Sequence, residues 1–123
     1  MVKTWHVSEI KMNLSRVDDI PVIEASGECD LITSRKLKDT ANGLIDGDNV
    51  RLILDLGGMT YIDSSGFQVL VALQKKANAA GGGIVLSGLP ERIRRILGIL
   101  KLRELLPTAM TIESAVDLLK SRP

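Results

Sequence analysis

The chain has 123 residues, 45% of them hydrophobic, and a formal net charge of +1 at neutral pH. That length and apolar content can bury one core without staples, so a single domain is expected. One cysteine excludes an internal disulfide, and near-neutral charge with only one Trp, one Tyr and one Phe argues against nucleic-acid binding. No apolar run approaches a membrane span or a secretory core, so no membrane contact and a reducing, cytoplasmic setting are expected.

In chain order, residues 10–16 and 21–26 read as strands. Val17-Asp18-Asp19-Ile20 between them reads as a hairpin turn, so the two strands should be antiparallel. A helix is expected over 33–45. Arg51-Leu52-Ile53-Leu54-Asp55-Leu56 is a short branched run of the kind covered on both faces, ended by Gly57 and Gly58. Next, Phe67, Leu70, Val71, Gln74 and Ala77 fall at helical spacing, widened by Val69, Leu73 and Ala80, and predict an amphipathic helix over 64–80. A strand at 84–87, a helix at 90–97 with Pro90 suited to its start, a weak strand near Leu105 and a helix at 112–120 complete the pattern. Pro107 suits an edge position for the weak strand. Strands alternating with helices imply an α/β layer with a mixed central sheet of about five strands and about four helices.

The densest chemical information lies in Asp55 to Gly66, read as a buried strand, a tight loop and a helix start. Asp63 is a good N-cap, which puts Ser64 and Ser65 in the first turn. There, unpaired backbone amides and the positive end of the helix dipole favour an oxyanion, so a phosphate on Ser64 would be stabilised locally.

Asp55-Leu56-Gly57-Gly58-Met59-Thr60-Tyr61-Ile62-Asp63-Ser64-Ser65-Gly66 resembles the STAS-domain signature, and that of bacterial anti-sigma-factor antagonists in particular. Gly27-Glu28-Cys29-Asp30 with Thr33 and Leu37 resembles the family's loop into its first helix. The run from Gly82 to Pro90 and Ile93-Arg94-Arg95-Ile96-Leu97 resembles its fourth strand and third helix, so the likeness spans about residues 11–120. Cys29 and Phe67-Gln68 depart from the usual residues at their positions, and residues 1–8 form an extension longer than the family's usual entry to its first strand. The expected division is therefore this extension followed by a STAS-like domain over 9–123.

The resemblance implies a protein-binding module with no catalytic residue, cofactor or metal of its own. Its partner would be an anti-sigma factor with serine kinase activity, bound in the unphosphorylated state so that a sigma factor is freed. Phosphorylation of Ser64 would switch binding off, and a separate serine phosphatase would reverse it. The expected partner-binding residues are Asp30, Thr33, Asp63, Ser64, Ser65 and Gly66. Sequence does not give the oligomeric state.

Other readings weigh less. Asp63-Ser64-Ser65-Gly66 alone could be an ordinary cap. A nucleophile elbow needs Gly where Ile62 stands and a His after the Ser, whereas the one histidine is His6, so a small serine hydrolase is a weak alternative. Asp18-Asp19 precedes its strand and is better read as a solvated turn than as the acidic pair of a phosphoacceptor aspartate at Asp55. Gly81-Gly82-Gly83 lacks the Lys-Ser/Thr of a phosphate loop, and one His and one Cys give no metal spacing. Cys29 reads as a packed thiol, and Arg92, Arg94 and Arg95 as a solvated face or, alternatively, a partner patch. Asp30 could cap the helix through Thr33 or stand beside the Ser64 loop, the second being favoured. A STAS scaffold or transport-complex docking domain without a kinase is the competing function.

Overall fold

The structure is a computed structural model, and it describes residues 6–121 apart from 46, 48 and 49. Of the expected extension over 1–8, residues 1–5 lie outside the described residues. The element order is β1 (Ile10–Val17), β2 (Ile20–Cys29), α1 (Thr33–Leu44), β3 (Arg51–Ile62), α2 (Ser64–Ala79), β4 (Gly83–Ser87), α3 (Glu91–Ile99), β5 (Thr108–Ala109) and α4 (Ile112–Lys120). The strands form one sheet in the order β1-β2-β3-β4-β5, with β1 antiparallel to β2 and the other pairs parallel. The mixed five-stranded α/β sheet expected from the sequence is therefore present.

Asp18 and Asp19 both have positive φ, 50° and 65°, which gives a two-residue turn whose twist matches the flanking strands. The parallel strands β3 and β4 bury both faces, as their branched apolar runs require: Leu52, Ile53 and Leu54 pair with Ile84, Val85 and Leu86. Leu52, Leu54, Ile84 and Leu86 join the larger core under α1, α2 and α3, which Leu37, Leu70, Leu73, Ile93 and Leu97 complete. Ile53 and Val85 point the other way, into a smaller core closed by Ala115, Val116 and Leu119 of α4. Among the described residues, no helix is long and apolar enough to cross a membrane.

Three expectations are corrected. Gly57 and Gly58 do not end the third strand, which runs on to Ile62. The β2–β3 register shifts between Glu24 and Ser26 and again between Gly27 and Glu28. A Cβ on Gly58 would lie 2.6 Å from the Cβ of Ser26, so glycine lets the two strands cross closely at the first irregularity and resume pairing. No tight loop separates strand from helix; Asp63 alone stands between β3 and α2.

The last strand is Thr108–Ala109 rather than a segment near Leu105, because the ladder forms only where Leu86 and Ser87 meet it. Leu86 N–H donates to Pro107 C=O at 2.9 Å, so Pro107 leads into this strand through its carbonyl and needs no N–H there. Gln74, which the spacing placed on an apolar stripe, is buried but fully paired. Its amide nitrogen donates to Ile84 C=O and Leu105 C=O, and its oxygen accepts from Ile84 N–H at 2.7 Å. One side chain thus holds α2, β4 and the segment before β5 in register.

Candidate functional site

The site is built where β2 and β3 end side by side. Cys29 and Ile62 are register partners, and Asp63 N–H donates to Cys29 C=O at 3.2 Å, so the two residues that follow the strands, Asp30 and Asp63, start from adjacent positions. Each binds the backbone that enters a helix.

Asp63 is extended (φ −109°, ψ −171°), and its Oδ1 accepts from the N–H groups of Ser65 at 2.9 Å and Gly66 at 3.3 Å. This satisfies two of the amides a helix start leaves open. Ser64 is therefore the first helical residue, exposed, and its hydroxyl makes no hydrogen bond among the described residues. The expectation that the first-turn amides wait for a phosphate is corrected: the Asp63 carboxylate already holds those of Ser65 and Gly66. An added phosphate would share the turn with a fixed negative charge.

Asp30 Oδ1 accepts from Ile32 N–H and Thr33 N–H, both at 2.9 Å, and Thr33 Oγ1 accepts from Asp30 N–H in return. Asp30 thus holds the turn that leads into α1 through Ile32 and Thr33, and it follows the strand end adjacent to the one that Asp63 follows. The Ser8 hydroxyl, first, and the hydrogen bond from the Thr33 backbone hold the Asp30 carboxyl down at about 2. Asp30 is therefore an anion throughout the physiological range.

Thr33 and Gly66, expected on the binding face, lie beneath it. Thr33 is 1% exposed and donates its hydroxyl to Glu28 C=O at 2.6 Å, so it supports the Asp30 turn from inside. Gly66 is buried because α2 begins directly against the strand ends; a Cβ there would sit 2.5 Å from Ile62 Cγ1 and 2.9 Å from Cys29 Sγ. Asp30, Asp63, Ser64 and Ser65 remain solvent-accessible. Cys29 is fully buried, and burial, with the charges of Asp63 and Asp30 behind it, pushes its thiol up to about 11. That thiol is a packed, protonated group.

Sequence reasoning missed the apolar rim. Leu31 and Ile32 follow Asp30 in the α1 entry and are 58% and 64% exposed. Two adjacent apolar residues between a cap and the first helical turn, out of phase with the buried Leu37 and Ala41, were the available signal. Arg92 of α3 donates to Thr60 C=O and so ties α3 to the final stretch of β3, while Arg94 and Arg95 are exposed, Arg95 paired with Glu91. Asp55 lies within β3, not at its end, and accepts from Ser87 Oγ and Gly57 N–H, a brace across the first irregularity. The single histidine is bound to the Glu28 carboxylate.

These observations define a mixed-sheet α/β domain that carries an exposed serine at a carboxylate-capped helix start. The STAS domain model matches residues 11–115, and the chain belongs to that family. It is 24% identical over 112 residues to the putative anti-sigma factor antagonist BtrV of Bordetella bronchiseptica, covering 91% of this chain and 97% of that protein. Its structure is similar to that of an anti-sigma factor antagonist from Mycobacterium paratuberculosis, with TM-score 0.82, 21% identity, and 92% and 96% of the two chains covered. It is also similar to the Bacillus cell fate determinant SpoIIAA in its phosphorylated form, with TM-score 0.67, 22% identity, and 88% and 98% covered. At these identities the structural likeness is one of fold.

Proposed function

We propose that this chain is an anti-sigma-factor antagonist: in the unmodified state its Ser64 face binds an anti-sigma factor that is also a serine kinase, and the sigma factor is released. Ser64 is the residue that kinase phosphorylates, a serine phosphatase restores it, and the exchange takes place in the cytoplasm. The chain performs no chemistry itself. The observation that carries this reading is the exposed Ser64 hydroxyl at the start of α2, unbonded among the described residues, next to the capping carboxylate of Asp63 and with Asp30 following the adjacent strand end. The names of the similar proteins and the solution of one of them in a phosphorylated form support it.

The switch is electrostatic. Phosphorylation adds about 1.5 to 2 negative charges at neutral pH. With two carboxylates already at the strand ends and the capping amides occupied, each nearby anion costs on the order of 1 kcal/mol or more once a partner excludes water. A total of roughly 3 kcal/mol weakens binding about a hundredfold. In the free protein the same charges face solvent and are screened, so the interface suffers and the fold does not.

Mass spectrometry of the protein isolated from its own cells should find phosphate on Ser64 and a small ATP-binding kinase co-purifying. In binding to that kinase, Ser64→Ala should match the unaltered chain and Ser64→Asp should be weakened by tenfold or more. Equal binding by the two variants refutes the switch, and recovery of a membrane transporter in place of the kinase favours a docking role in a transport complex.

A further inference from the structure

A groove runs from Ser64 along α2. One wall is the helical row Phe67, Val71 and Lys75; the other is the segment that follows α3, with Leu100 and Leu102. It is open, about 490 Å³, and its lining residues include no carboxylate. The second wall is held by a tight helix end: Lys101 N–H donates to Gly98 C=O and Leu102 N–H to Leu97 C=O, with Lys101 at φ 58°. A lysine in the left-handed region is strained where a glycine is not. What that strained turn achieves is display, since Ile99 and Leu100 are 71% and 49% exposed. The one charged side chain among its lining residues is Lys75, and exposed Lys101 lies between the two leucines in the chain.

We infer that this groove seats a helix of the partner, apolar on the face that meets Val71 and Leu100 and carrying carboxylates that meet Lys75 and Lys101. The inference rests on the reading of the Ser64 face as the docking face and extends it along α2. A helix fits where a strand does not. The wall is the side of α2, whose mid-helix N–H and C=O groups are used within the helix, so an added strand gains no ladder bonds, whereas a helix needs only side-chain contacts. Charge selects the sign along the α2 wall, away from the acidic Ser64 end: a carboxylate set against Lys75 is attracted, and a basic side chain there is repelled.

The test is calorimetry with the co-purifying kinase, at low and high salt, on variants whose altered side chains lie outside the core. Lys75→Glu should weaken binding at least tenfold, with the loss shrinking as salt rises, and Lys75→Arg should restore it. Leu100→Ser should weaken binding at least fivefold with little salt dependence. Lys11→Glu, on the exposed β1, changes net charge equally and should shift affinity less than twofold.

If the kinase binds the unaltered chain and Lys75→Glu and Leu100→Ser bind as well, or if Lys11→Glu is as damaging as Lys75→Glu, the groove assignment is overturned while the function stands. If the kinase does not bind the unaltered chain, both are overturned. If sedimentation shows a dimer of this chain that Leu100→Ser dissociates, the occupant is a second copy and the inference is overturned.

Discussion

Gly66→Ala isolates the constraint that fixes the site. In a helix, alanine is intrinsically better than glycine by about 1 kcal/mol, so propensity alone predicts a more stable protein. Packing opposes it. The new methyl would stand 2.5 Å from Ile62 Cγ1 and 2.9 Å from Cys29 Sγ, both belonging to buried side chains at the ends of β3 and β2. Neither contact is the free end of a flexible chain, so relief requires α2 to back away from the sheet. Overpacking of this kind costs about 1–3 kcal/mol. At the middle of that range the propensity gain leaves a net loss of about 1 kcal/mol, or roughly 4 °C in melting temperature for a domain of this size. Urea unfolding measures it. A cycle with Ile62→Ala supplies the cause: the double variant should be more stable than the sum of the single losses predicts, by about 1 kcal/mol. Gly66→Ala as stable as the unaltered chain, or strictly additive losses, refutes the packing argument.

Three further outcomes can be measured on the pure protein. Gln74→Leu leaves Ile84 N–H and C=O and Leu105 C=O without their partner, and should lower unfolding free energy by about 2–4 kcal/mol despite the apolar replacement. Asp30 has a folded pKa of about 2 against 3.8 ordinarily, so its contribution is present above pH 3.8 and lost as pH falls through 2. The stability gap between the unaltered chain and Asp30→Ala should therefore close between these pH values, and a gap independent of pH refutes the assignment. Cys29, with its thiol raised to about 11, should resist thiol reagents at pH 8 until the protein unfolds. Rapid labelling of the folded chain overturns its burial.

What could be read in the sequence divides by the range of the interaction. The Asp63 cap, the Asp18-Asp19 turn and the buried runs of β3 and β4 each rest on neighbours in the chain, and their residues were informative in isolation. Gly57 and Gly58 read as terminators in the sequence because the reason for a glycine lies across the sheet, where Ser26 needs the space that a Cβ on Gly58 would take. Thr33 was placed on the surface because its partner is the Glu28 carbonyl, a consequence of how β2 turns into α1. A two-residue strand such as β5 has too little periodicity to announce itself and exists by pairing with Leu86 and Ser87.

The same division explains why this fold suits a switch. The hydroxyl at Ser64 is placed by local capping, but the charge around it comes from register: Cys29 opposite Ile62 puts Asp30 and Asp63 on neighbouring strand ends. Both carboxylates are committed to backbone amides, so neither can swing away to relieve repulsion from an added charge without giving those bonds up, which for Asp63 means uncapping α2 at about 1 kcal/mol. Beneath them Gly66, Ile62 and Cys29 are packed too closely to let α2 slide. A new charge at Ser64 therefore has no inexpensive internal relaxation, and its energy is expressed where water is excluded, at the contact with another protein.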